Sequence, residues 1–304
     1  TGGLGADTVT VTGAVGDLTP LVATLDGADT LVNQTTLSAG GFAINAALTN
    51  EGTLNTTGGA LNGAFSNTAS GILNVTGPGD TLAVANGFTN AGLITTNDLS
   101  TYNYTTTLSV TTGTLTNTGI IRTLDTTGGG SAGVINAQLD NQGLLDLVSD
   151  GSISNAGRTF DTSTGAINVA SGKILTINGG TTLFGAGTAL SGAGTISFAG
   201  TSALTFGADF IYTATNPTLG FAGAVTVNGA VTLTNQDALS FQANDTFNTT
   251  ALINEATLNA NGGTINGAFS NAASGILNVT GPGDTLTVAN GFTNAGLITT
   301  NDLS

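Results

Sequence analysis

A seven-residue phrase, apolar-x-Asn-x-Gly-x-apolar, returns along the chain as LTNEGTL at 48–54, FTNAGLI at 88–94, LTNTGII at 115–121, LDNQGLL at 139–145 and FTNAGLI at 292–298. ISNAGRT at 153–159 and LINEATL at 252–258 are looser copies. FSNTASGIL at 65–73, its twin at 269–277 and FDTSTGAI at 160–167 carry extra residues before the Gly. From Asn50 to Asn141 the asparagines lie 17, 23, 27 and 24 residues apart. A period of this size, holding only short apolar alternations, is that of a solenoid whose turns bury a core by stacking on one another.

The elements within a turn read as strands. Strong helix formers are scarce, and no stretch keeps apolar residues at helical spacing. Alternation by two does occur: Leu73 and Val75 share a face in ILNVT, and Leu82 and Val84 share one in TLAVA. TGPGD at 76–80, NG at 86–87, TGGGS at 127–131 and NGG at 178–180 supply the glycine and proline geometry that corners require. These features predict an all-β parallel β-helix, or β-solenoid, of about 12–15 coils of 17–27 residues.

A larger repeat encloses the small one. Residues 54–100 and 258–304 align without a gap, and 41 of the 47 are identical; the weaker match upstream extends the pair to 31–100 and 233–304. GILNVTGPGDTL at 71–82 therefore recurs intact at 275–286, a tandem unit of about 204 residues away. The expected organisation is one continuous solenoid segment over 1–304, cut from a longer array in which further copies are its first partners.

Leu48, Asn50, Gly52 and Leu54 share one parity, which places an amide among core positions. A buried amide is tolerated only when its donors and acceptors are matched. Coils stacked at about 4.8 Å let each Asn bond the next. The expectation is a structural ladder through Asn50, Asn67, Asn90, Asn117, Asn141, Asn254, Asn271 and Asn294, beside an apolar column of Phe65, Phe88, Leu115 and Leu139, with the Gly supplying the bend.

These Thr-, Asn- and Gly-rich phrases resemble those of large bacterial surface proteins built as right-handed parallel β-helices, the filamentous-haemagglutinin-like adhesins and autotransporter passengers. The resemblance covers nearly the whole chain but rests on composition. It implies secretion, display at the cell surface, and adhesion or filament building by self-association; it transfers no binding residue.

Composition excludes several other functions. Three basic residues, Arg122, Arg158 and Lys173, stand against 18 acidic ones, for a net charge of -15. Such a chain cannot neutralise phosphates, so nucleic acid is not an expected partner. With 39% hydrophobic and 7% charged residues it is not a disordered chain either. No run of about 18 apolar residues exists to form a transmembrane helix. The absence of Trp and of aromatic girdles argues against an outer-membrane barrel.

The chain contains no His and no Cys, so Ser-His-Asp, Cys-His and ordinary zinc sites cannot be assembled. The nearest approach to an acidic catalytic cluster is Asp140, Asp146, Asp150, Arg158 and Asp161, read as turn residues and solvated charges. GGLGADTVT at 2–10 matches one copy of a calcium-binding nonapeptide, with Asp7 as the candidate ligand, but the second copy such a site needs is out of register. No enzyme activity, cofactor or metal is expected. A binding alternative, for a cell-surface glycan or protein, points to Tyr102, Tyr104 and Tyr212. A second alternative, tandem β-sandwich domains, predicts a pattern of about one hundred residues instead.

Overall fold

The computed structural model describes residues 8–13, 28–128, 132–281 and 285–301. Every described element is a β-strand, and every described pairing between strands is parallel, in a β-solenoid of about 12 turns. Parallel pairing throughout removes the β-sandwich alternative, whose sheets are antiparallel. The chain falls into two compact units, Thr1–Ser154 and Asn155–Ser304.

In the first unit each turn contributes to three rows of strands. One row carries the Asn phrase: Thr30–Asn33, Ala47–Asn50, Phe65–Asn67 and Phe88–Asn90, then the ends of Thr105–Asn117 and Ala132–Asn141, all in register. The next row runs through Thr36–Gly40, Thr53–Thr57, Ile72–Thr76, Leu93–Asn97, Ile120–Leu124 and Leu144–Leu147. The third begins at Ala43–Ile44, Gly59–Leu61 and Thr81–Val84 and continues in the first half of Thr105–Asn117.

Alternation then fills the interior. Leu48, Phe65, Phe88, Leu115 and Leu139 form one buried column, and Leu54, Leu73, Ile94, Ile121 and Leu145 another. A fully buried Leu, Ile or Phe stabilises the fold by about 1.5–3 kcal/mol, so each rung depends on both its neighbours. Phe65 and Phe88, on successive rungs, pack with ring centroids 4.8 Å apart. In GILNVTGPGDTL, Ile72–Thr76 is one strand, Thr81–Val84 the next, and the corner turns through Gly77 and Gly79, whose φ values are 120° and 76°. A side chain at either position would be strained.

The second unit also stacks its strands in parallel, with different filling. Its amide file begins at Asn235, which pairs in register with Tyr212. Around it, phenylalanines pack in contact: Phe184 with Phe206 at 5.8 Å, Phe206 with Phe210 at 4.8 Å, Phe198 with Phe221 at 6.0 Å and Phe241 with Phe247 at 4.9 Å. Rings in tilted or offset pairs contribute beyond their buried area. Aromatic packing thus occupies the part of this unit that lacks the amide phrase.

Among the described residues of this unit, one carboxyl group is buried. Asp245 is buried at a register shift in Leu239–Asn254; its Oδ1 accepts from the Val225 N–H at 2.9 Å and its Oδ2 from the Gln242 N–H at 2.7 Å. Burial raises its pKa more than these two bonds lower it. The folded state therefore holds this proton to higher pH than the unfolded chain, whose value is near 3.8. Its contribution to stability is full below that value and is lost as pH rises through the elevated folded one. Urea unfolding across this range should show stability falling with rising pH by at most about 1.4 kcal/mol per pH unit for this single group. That component should vanish in Asp245→Asn.

Candidate functional site

The most highly organised polar feature of both units is a file of buried amides. Asn33, Asn50, Asn67, Asn90, Asn117 and Asn141 are at most 1% exposed, as are Asn235, Asn254 and Asn271. In the first unit Nδ2 of each Asn donates to Oδ1 of the next at 2.7 Å, from Asn33 through Asn141. In the second unit Asn235, Asn254, Asn271 and Asn294 are linked in the same way at 2.8 Å. A second Nδ2 hydrogen points to a backbone carbonyl of the following rung: Asn50 to Ile72 at 3.0 Å, Asn67 to Leu93 at 3.2 Å, Asn254 to Ile276 at 3.1 Å. Both donors and an acceptor lone pair of each interior amide are thus used, which offsets the cost of burial.

The glycine two residues on has a different role from the expected one. Gly92, Gly119 and Gly143 do not have positive φ. A Cβ at Gly92 would strike the Gly71 carbonyl, one at Gly119 the Gly92 carbonyl, and one at Gly143 the Gly119 carbonyl. These carbonyls accept the N–H of Leu93, Ile120 and Leu144 at 3.0, 2.9 and 2.9 Å. The glycines allow one corner to lie directly on the next.

Two rungs escape the seven-residue phrase. Asn33 in LVNQTTL and Asn235 in LTNQDAL begin the file in their units but have Thr35 and Asp237 where the phrase has Gly. The readable signal was the Leu-x-Asn triplet at the head of each large repeat. Outside these rungs, Gln34 Nε2 donates to Glu51 at 2.9 Å and Gln236 Nε2 to Glu255 at 2.8 Å, so both glutamates bond their neighbours across the stack.

The acidic residues do not gather. Asp146 forms an ion pair with Arg122 at 2.7 Å on the row opposite the amides, whereas Asp140 lies on the amide row and accepts from Gln142 at 2.7 Å. Asp161 accepts from the Ser163 N–H at 2.8 Å. Among the described residues, no three His, Cys, Asp or Glu side chains are grouped so as to hold a metal ion. Asp7, the candidate calcium ligand, lies outside the described residues. No helix among the described residues is long and apolar enough to cross a membrane.

The tyrosines separate into two kinds. Tyr212 is buried, its hydroxyl accepting from the Leu219 N–H at 3.4 Å, and burial raises its pKa. Tyr102 and Tyr104 are 71% and 47% exposed, with ring centroids 6.2 Å apart. The buried Asp98 carboxylate holds their loop, accepting from the Ser100 N–H at 2.8 Å, the Ser100 hydroxyl at 2.9 Å and the Tyr104 N–H at 3.2 Å.

Removing an interior amide strands the partners on both sides. Asn90→Leu leaves the Asn67 Nδ2 hydrogen that met Asn90 Oδ1, and the Asn117 Oδ1 itself, without their partner, at a cost of about 2–4 kcal/mol. Asn62→Leu, whose amide donates to Asn45 on the exposed surface, should cost under about 1 kcal/mol. Urea unfolding of the two variants against the parent measures the difference. No protein-family model, curated protein or solved structure matches this chain.

Proposed function

We propose that the chain is a non-enzymatic structural protein: a rod segment of a secreted fibre, sheath or adhesin stalk at the cell surface. The observation that carries this reading is that its most specific polar chemistry, the amide file, joins one turn to the next. The near-identical 47-residue blocks add to it, because copying a self-stacking unit lengthens an array without new folding information. A net charge of -15 keeps such a surface soluble and unattractive to nucleic acid. Further copies of the repeat are its first partners, and filament assembly would follow from their stacking.

Chains engineered with one, two and three tandem copies of the 204-residue repeat test this in electron micrographs. The expected images are rods of constant width that gain about 40–50 Å per added copy. Beads joined by thin linkers, or a width that grows while length does not, would overturn the reading.

The exposed pair Tyr102 and Tyr104 favours a second role on the same scaffold, as a contact for surface glycans. Tyrosine supplies a flat apolar face with a polar tip, suited to a sugar ring. On this reading the parent binds immobilised glycans and the Tyr102→Ala, Tyr104→Ala double variant loses about tenfold or more in affinity; equal binding by both would remove this role.

A further inference from the structure

Three successive turns of the second unit carry a Thr-x-Asn triplet: TVN at 226–228, TFN at 246–248 and TIN at 264–266. The middle residues Val227, Phe247 and Ile265 are fully buried, so the Thr and Asn on either side of each point outward. Thr226, Thr246, Thr264 and Thr287 follow one another in register. Beside them Nδ2 of Asn248 donates to Asn228 Oδ1 at 3.0 Å, and Nδ2 of Asn266 to Asn248 Oδ1 at 2.7 Å. Turns lie on both sides of this pair, through Asn228 before it and through Asn290, whose Nδ2 donates to the Asn266 carbonyl at 2.6 Å, after it. The array is therefore a side face of the stack.

This face is also where the two copies of the large repeat diverge. In the same place the first unit has Ala43, Ala60 and Ala83, again in register. Ala60 against Thr264 and Ala83 against Thr287 are two of the six differences between 54–100 and 258–304. The outer amides persist, Asn62 donating to Asn45 at 2.8 Å. Alanine thus satisfies the fold at these positions, and packing does not require the added hydroxyls. The corner changes with them: NAAL at 45–48 becomes NTTAL at 248–252, one residue longer. Beside that corner lies a depression of about 390 Å³, lined by Asn248, Thr249, Thr250, Asn266 and Gly267. The Thr249 hydroxyl is buried there with no hydrogen-bond partner among the described residues, a cost to the fold that nothing in the corner offsets.

We propose that this face binds one strand of an uncharged β-linked glycan, laid along the stack with one sugar on each rung. Rungs recur about every 4.8 Å, close to the length of one sugar in an extended β-linked chain. Beyond its link, an amide such as Asn248 keeps one N–H and one oxygen lone pair, a donor and an acceptor for neighbouring sugar hydroxyls. The Thr hydroxyl lies about 6.7 Å from it along the strand, on the other side of the sugar. The array is set before binding, because χ1 of Thr is stiff and the amides hold one another, so little side-chain freedom is lost. No Lys, Arg, Asp or Glu occurs in 224–229, 246–251 or 264–268, and the chain carries a net charge of -15. A sulfated or uronic glycan would meet repulsion and no cation, which restricts the ligand to neutral sugars.

Isothermal titration calorimetry of the whole chain with cellohexaose tests this, against its coiled α-linked isomer maltohexaose. Saturable binding of cellohexaose with a Kd of about 0.1–1 mM is expected, and none of maltohexaose. The double variant Thr246→Ala, Thr264→Ala places there the residue that the first unit already carries, so it folds; it should weaken cellohexaose about tenfold or more. The Tyr102→Ala, Tyr104→Ala variant should bind as the parent does. Absence of saturable binding up to about 5 mM cellohexaose, equal binding of the two hexamers, unchanged affinity in the threonine variant or loss of binding in the tyrosine variant would each overturn the proposal. It depends on neither the fibre reading nor the tyrosine pair, so its failure is separate from theirs.

Discussion

A primary amide buried among hydrocarbon must find its hydrogen-bond partners within reach, and in this chain the partner of each Asn is the same residue one turn away. That requirement sets the register. A slip of one residue between rungs would turn Asn90 outward and set a Thr against the amide of Asn67, leaving polar groups unpaired on both rungs. The apolar columns tolerate exchange of Leu for Phe, as the succession Leu48, Phe65, Phe88, Leu115 shows, because hydrophobic contact is not directional. The amides therefore specify how turns align, and the hydrocarbon supplies most of the stabilisation.

The glycines belong to the same constraint. Where the phrase is complete, successive corners lie directly on one another, and a single Cβ at Gly92 or Gly119 would hold them apart. Where the second unit lacks the phrase, between Phe160 and Phe221, ring packing fills the interior. Rings pack in several tilts, and here they do so at interplanar angles from 29° to 73°.

Much of this was legible in the sequence because the determinants are local and repeated. The parity of Leu48, Asn50 and Leu54 gives the face, and the interval between phrases gives the turn. Other features depend on what stacks above and below, which a single turn does not encode. Asn33 and Asn235 lack the Gly and so fall outside the phrase, although neighbours on the next turn complete their bonds. The absence of positive φ at Gly92 could not be read from composition, since glycine serves bends and close approaches alike. Tyr102 sits in a loop held by the buried Asp98 carboxylate, whereas Tyr212 ends a strand with its side chain in the core, a difference the flanking residues do not show. Asp245 gives no sequence sign that it is enclosed.

The amide file also has a sense. Because the second hydrogen of each Nδ2 meets a carbonyl oxygen, which can only accept, the nitrogen must point toward the following turn and the oxygen toward the preceding one. Every link in a unit therefore runs donor to acceptor in chain direction, and the side-chain dipoles add and polarise one another. One terminus of such a file offers a lone pair and the other an N–H. Two like termini brought together would set donor against donor or acceptor against acceptor, so any assembly that continues the file inherits a single polarity, as a current does in a chain of diodes.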